Sequence, residues 1–168
     1  YFHVPIQAGN NEILKRMARR YTYERYMELV NYIRKLMPEA SITGDIIVGF
    51  PGETHEQFMD SVRAVQEIKY DACNTAVYSP RHYTAAATWA DPVSAEEKNE
   101  RIRFINSIIT ELAEAQSQRY LGNIERVLVE GPSHRNPARL AGRVFSNKTI
   151  NIECDPTDHG KYIGKIFQ

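Results

Sequence analysis

Three polar side chains stand where short apolar runs end or begin: Gln7 just past FHVPI, Arg19 twelve residues on, and Asp45 at the head of DIIVGFPGET. An amide both donates and accepts hydrogen bonds, an ionised carboxylate only accepts, and a guanidinium offers a planar fork of donors. Gln7 and Asp45 suit the hydroxyls of a ribose and Arg19 suits a carboxylate, so a small molecule carrying both groups would engage all three. Gly49, Pro51 and Gly52 follow Asp45 in a turn where glycines let backbone approach a ligand and proline restricts the path. Taken singly, Gln7 and Arg19 read as surface residues before they read as ligand contacts, and Asp45 also suits the cap of a neighbouring loop. Spacing by itself leaves the ligand unnamed.

The elements that must position these residues are legible over roughly the first 120 residues. FHVPI is short and apolar, as a buried parallel strand is. A helix follows, with Asn10 or Asn11 as its N-cap and Ile13, Leu14 and Met17 on one face. From Thr22 the spacing of Tyr26, Leu29, Val30, Ile33, Leu36 and Met37 predicts a second helix that Pro38 ends. ITGDIIV is the second strand. Thr54 to Gln57 form a capping box for a helix whose inward stripe is Phe58, Val62, Val65 and Ile68. Asp71 to Tyr78 is the third strand. Alternating β and α units predict a parallel sheet with helices packed outside it, and three such units make half of an eight-stranded barrel. Ligands of such sheets bind at the carboxyl ends of the strands.

After Tyr78 a long connection, Ser79 to Pro92, carries Arg81, a candidate for a substrate or cofactor contact or for a structural salt bridge. Tyr78 and Trp89 read as core or interface residues. Loops of this length in compact domains are more often functional than idle. Ser94 caps a fourth helix, with Ile102, Ile105, Ile108, Ile109 and Leu112 facing inward. IERVLVE, RLAGRVF, KTINIE and KYIGKIF then predict a small all-β barrel. The domains expected are 1–120 and 121–168.

Bulk properties exclude several classes. Lys plus Arg equals Asp plus Glu at 21 each, so overall charge names no partner. No apolar run approaches the roughly 20 residues that cross a bilayer, and no leader pattern opens the chain, so the expected location is cytoplasmic and no membrane partner is expected. The two cysteines, Cys73 and Cys154, have no CxxC spacing and read as reduced, structural thiols. The chain starts at Tyr1, already inside a strand-like run, which reads as a piece of something longer.

HVPIQAGNNEILKRMARRYT, DIIVGFPGETHEQF, YSPRHYTAAA and AGRVFSNKTINIE, in this order, resemble the methylthiotransferase branch of the radical S-adenosylmethionine (SAM) enzymes, most closely the tRNA-modifying MiaB group. The resemblance implies the carboxyl-terminal half of a radical-SAM (β/α) barrel followed by a TRAM-like β-barrel, short of a closing strand. It assigns Gln7, Arg19 and Asp45 to the ribose and carboxylate of SAM, with Gly49, Pro51 and Gly52 beside them. It implies an enzyme with two [4Fe-4S] clusters. One of them, held by a CxxxCxxC loop, cleaves SAM to a 5'-deoxyadenosyl radical; the other delivers sulfur. The substrate implied is N6-isopentenyladenosine beside the tRNA anticodon, which receives a 2-methylthio group. Cys73 and Cys154 do not correspond to the cluster ligands.

The last domain holds seven Lys or Arg against five Asp or Glu, a weak basic surplus. Arg135, Arg139, Arg143, Lys148, Lys161 and Lys165 are the candidates for phosphate contacts to the anticodon stem-loop, and Phe145 for stacking on an exposed base. A solvated barrel surface would also account for them. In MiaB-like chains the loop around Arg81 reads SPRPGTPAA, whereas His82 and Tyr83 replace its Pro-Gly here. Rival readings are an enzyme acting on threonylcarbamoyladenosine in tRNA, a RimO-like modifier of a ribosomal protein, and a non-catalytic RNA-binding module. AGNN and NKTINIE look more like the tRNA-modifying members. Since cluster ligation needs thiolates in the right pattern, this chain alone is expected to be inactive. Anaerobic reconstitution should leave no stable [4Fe-4S] absorbance and no SAM cleavage; the appearance of both overturns that expectation.

Overall fold

A computed structural model describes all 168 residues. The chain divides between Gln118 and Arg119 into two compact units. In the first, β1 (Phe2–His3), β2 (Ile42–Val48) and β3 (Ala72–Val77) form a parallel sheet in the order β1-β2-β3. The register sets Thr43 beside Ala72, Asp45 beside Asn74 and Ile47 beside Ala76.

β1 is shorter than FHVPI. Val4 N–H still donates to the Thr43 carbonyl at 2.8 Å, but Pro5 has no N–H and interrupts the ladder. The chain rejoins at Gln7, whose N–H donates to the Asp45 carbonyl and whose carbonyl accepts from Ile47 N–H, both at 2.9 Å. Gln7 reaches this bridge with φ +74°, a left-handed conformation.

The helices start at the residues their caps dictate. Asn10 accepts from Glu12 and Ile13 N–H and opens α1 (Asn11–Arg16). Met17 ends α1 as its C-cap and packs, half-buried, on the same side as Ile13 and Leu14. Thr22 caps α2 (Tyr23–Leu36), and the Thr54–Gln57 box is complete on both sides at α3 (His55–Ile68). Ser94 caps α4 (Ala95–Ser117) through Glu97 N–H.

One core joins these helices to β2. Tyr26, Val30 and Ile33 from α2, Phe58, Val62, Val65 and Ile68 from α3, and Ile105 and Ile109 from α4 close over Ile42, Ile46 and Val48. Full burial of each such side chain contributes about 1.5–3 kcal/mol. Leu29, Leu36 and Met37 depart from the expected stripe, being 45, 56 and 44% exposed. Helical period defines a wide apolar face on α2, but the core covers only the line through Tyr26, Val30 and Ile33. On α4, Ile102, Ile108 and Leu112 are half-buried, and Lys98 and Arg101 lie buried in line with Ile105 and Ile109.

The second unit is an antiparallel sheet, β6-β5-β4-β7, built from β4 (Val127–Pro132), β5 (Leu140–Val144), β6 (Thr149–Ile152) and β7 (Ile166–Phe167). Val127, Val129, Leu140 and Val144 are buried, and the β4–β5 register shifts between Val129 and Gly131. KYIGKIF is not one strand. Lys161 and Tyr162 belong to a short helix, α5 (His159–Tyr162), because Asp155 accepts from Thr157 N–H and Oγ1 and starts a turn with Pro156 at its first position. Ile166 and Phe167 pair with Leu128 and Val127, and Gly164 N–H and the Lys165 carbonyl bond to Val129. Both sheets are open in their pairing. No helix is long and apolar enough to cross a membrane.

Tyr26 ties two parts of the first core together. Its hydroxyl lies 2.6 Å from both the Val4 carbonyl and the Tyr70 hydroxyl, and burial pushes its pKa up to about 12. Tyr26→Phe strands both partners and should cost about 1–3 kcal/mol, whereas Tyr70→Phe leaves the bond to Val4 and should cost less. Urea denaturation of the two variants checks the order; equal costs would show that the Val4 bond carries nothing.

Candidate functional site

The carboxyl ends of β1, β2 and β3 place Gln7, the Gly49–Glu53 turn and Tyr78 at one end of the parallel sheet. Phe50 packs edge-on against Tyr78 and Trp89, with ring centres 5.1 and 5.8 Å apart. The Arg16 guanidinium lies 5.9 Å from the Phe50 ring centre and 5.2 Å from that of Trp89. Tyr78 and Trp89 therefore pack together with Phe50 rather than standing free in the loop.

Asp45 lies on the face of β2 that the helices do not cover, and it is half-buried. Its carboxylate accepts from Asn74 Nδ2 at 3.0 Å and faces His3 Nε2 at 3.3 Å, while His3 Nδ1 lies 3.0 Å from Thr43 Oγ1. All three strands thus hold one carboxylate. Sequence reasoning missed His3 and Asn74 because cross-strand neighbours follow from register, which no local spacing reveals. Gln7 is buried, whereas Arg19 is exposed and has no ion pair.

The two turn glycines have packing roles. Phe50 to Glu53 form a turn closed by Glu53 N–H on the Phe50 carbonyl at 2.8 Å, with Pro51 second and Gly52 third at φ +74°. That is type II chemistry. A Cβ on Gly52 would meet the Arg16 guanidinium at 2.9 Å, and one on Gly49 would meet the Lys98 side chain at 2.5 Å. Gly49 N–H is also taken, donating to Glu53 Oε2 at 2.8 Å.

Glu53 and Arg101 are the buried charges that sequence reasoning passed over. Glu53 is 2% exposed and Arg101 5%. Arg101 donates to the Glu53 carbonyl and to Glu53 Oε2, each at 3.1 Å, and also pairs with Glu97. Burial pushes the Glu53 carboxyl upward, against the pull of Gly49 N–H and Arg101. The available signal was a pair of charges, Lys98 and Arg101, on the inward stripe that continues to Ile105 and Ile109.

The loop of Arg81 closes in a tight turn. Thr84 N–H donates to the Arg81 carbonyl at 3.2 Å, and Tyr83 adopts φ +68°. A left-handed conformation costs a non-glycine residue roughly 1–2 kcal/mol. The Arg81 side chain is exposed and unpaired.

In the second unit Phe145 is 92% exposed. Arg143 pairs with Glu130 at 3.0 Å and donates to Asn147, and Arg139 pairs with Glu153 at 2.5 Å. Lys161 pairs with Asp158, and the Lys148 ammonium sits 5.5 Å from the Tyr120 ring centre. Arg135 and Lys165 are exposed. Exposed pairs are worth about 0–1 kcal/mol, so these cations can exchange a carboxylate for a phosphate at little cost.

Residues 1–65 match the Radical SAM superfamily, and residues 118–167 match the TRAM domain. The two matches support a radical-SAM enzyme with a TRAM domain, a combination that points to RNA modification. The Radical SAM family implies use of SAM and an iron–sulfur cluster. Cluster ligation needs thiolates. Cys73 and Cys154 are the only cysteines, and no three His, Cys, Asp or Glu side chains group to hold a metal ion. These residues do not fit a cluster. By donor chemistry, the half-buried Asp45 carboxylate and the Gln7 amide suit hydroxyl partners and the exposed Arg19 guanidinium suits a carboxylate.

Burial, and secondarily the charge of Asp45, pushes the Cys73 thiol from 9.0 up to about 12. The unfolded chain therefore releases this proton first, so the contribution of Cys73 to stability is full below pH 9 and is lost as pH rises toward 12. Alkylation requires the thiolate. At pH 8, iodoacetamide should modify Cys73 more than about tenfold more slowly in the folded than in the unfolded protein, the lower thiolate fraction outweighing the higher nucleophilicity of a high-pKa thiolate. Peptide mass spectrometry checks this, and equal rates would mean that Asp45 and the sheet do not shield the thiol.

Proposed function

We propose that this chain is part of a tRNA methylthiotransferase that places a 2-methylthio group on N6-isopentenyladenosine next to the anticodon. The observation that carries the reading is the pairing, in one chain, of a Radical SAM match over residues 1–65 with a TRAM match over residues 118–167. The order of the MiaB-like motifs supports the finer substrate. The parallel sheet is then part of a (β/α) barrel, with Thr43, Asp45 and Ile47 of β2 turned toward its interior, and the antiparallel sheet is the core of a TRAM barrel.

SAM, when bound, supplies the radical-forming chemistry. The residues of this chain bind and orient it. Asp45, held by Asn74 and His3, accepts from the ribose hydroxyls; Gln7 donates and accepts beside it; Arg19 pairs with the carboxylate. Gly49, Pro51 and Gly52 shape the turn next to the ligand, and Arg81 lies at the mouth. Arg135, Arg139, Arg143 and Lys148 contact phosphates of the anticodon stem-loop and Phe145 stacks on a loop base, which makes RNA affinity fall with salt.

The test is nucleoside mass spectrometry on tRNA from a cell that lacks this modification and expresses the full reading frame encoding the chain. 2-Methylthio-N6-isopentenyladenosine is the expected product. Asp45→Ala and Arg19→Ala should each lower its yield about tenfold or more, since a charged hydrogen bond contributes about 1.5–3 kcal/mol. Methylthiolation of threonylcarbamoyladenosine or of a ribosomal protein would replace the substrate assignment. Salt-dependent tRNA binding without any methylthio product would leave an RNA-binding module.

A further inference from the structure

α4 lies outside both matched segments, yet it sends two cations into the turn at the end of β2. We propose that Arg101 and Lys98 are positioning residues that hold the Gly49–Glu53 turn in its ligand-facing shape. The inference rests on reading that end of the sheet as the SAM site.

Pro51, Gly52 and the Glu53 N–H bond close the Phe50–Glu53 turn locally, but Gly49 ahead of it sits at φ +70°, one of several conformations that glycine adopts freely. The shape of the junction between β2 and the turn therefore has to be imposed from outside. Arg101 imposes it at one end, donating to the Glu53 carbonyl and to the Glu53 Oε2 that accepts from Gly49 N–H. Lys98 imposes it at the other. Its aliphatic stem fills the space over Gly49, and its ammonium pairs with Asp91 and lies 6.0 Å from the Tyr78 ring centre. The loop before α4, the end of β3 and the turn after β2 are thereby locked into one unit.

Stability alone is a poor reason for this arrangement. Glu53 Oε1 and Arg101 Nε are buried without partners. A buried pair that is only partly satisfied is commonly no more stable than apolar packing of the same volume. What such a pair does supply is direction: Arg101 Nη1 reaches the Glu53 carbonyl and carboxylate together while Nη2 is held by Glu97, which an apolar side chain cannot do.

Arg101→Met, Arg101→Lys and Lys98→Ala test the proposal, with Lys98→Ala as the milder change should Arg101→Met fail to fold. Amide hydrogen exchange at Gly49 and calorimetric titration with S-adenosylhomocysteine are the readouts. Arg101→Met and Lys98→Ala should each speed Gly49 exchange and weaken S-adenosylhomocysteine binding about tenfold, a shift of about 1.4 kcal/mol, with partial recovery in Arg101→Lys. Unchanged Gly49 exchange overturns the bracing itself. Faster exchange with undiminished affinity overturns the positioning role and leaves the site assignment standing. Failure of the unsubstituted protein to bind S-adenosylhomocysteine overturns the site assignment, and this role with it.

Discussion

The strict alternation of β2 is the constraint from which the first unit follows. Ile42, Gly44, Ile46 and Val48 are buried while Thr43, Asp45 and Ile47 are not, because successive side chains of a strand point to opposite faces and helices cover only one of them. A one-residue slip would drive Asp45 into the hydrocarbon core and Ile46 out of it, at a cost of several kcal/mol in burial and desolvation. The register therefore has one solution. It places an acid on the uncovered face, where His3 and Asn74 from the flanking strands orient it.

Bonds across the strands fix that acid, and bonds from a distant helix fix the turn beside it. Asp45 and the Gly49–Glu53 turn are only a few residues apart in sequence, yet they depend on different supports. The acid stays partly open to solvent and keeps capacity to accept further donors. The turn has spent its Gly49 amide on Glu53 and its free space on Lys98 and Arg16, so its glycines serve packing first. Any approach of a ligand to this end of the sheet meets a backbone already shaped by α4.

In the second unit, charge is held differently. Arg139, Arg143 and Lys161 are paired at the surface with single carboxylates, and Phe145 stands almost fully in water. A small basic surplus spread over exposed, exchangeable pairs gives weak long-range attraction. Affinity for a polyanion would then come from local contacts, with an aromatic side chain adding stacking that is independent of charge.

The sequence by itself determined where elements begin and how their local turns close. Asn10, Thr22, Thr54 and Ser94 cap the helices they precede, the Phe50–Glu53 turn has the proline and glycine its type requires, and the βα order fixes a parallel sheet. Even the helical turn inside KYIGKIF was written locally, in Asp155-Pro156, although the alternation after it reads as strand. Only tertiary structure decided which part of the broad apolar face of α2 is covered, which neighbours orient Asp45, and that Lys98 and Arg101 turn inward to Glu53 and Gly49. The reason is physical: caps and turns act over three or four residues, whereas burial and ion pairing depend on what the rest of the chain brings alongside, such as Arg101 from 48 positions beyond Glu53.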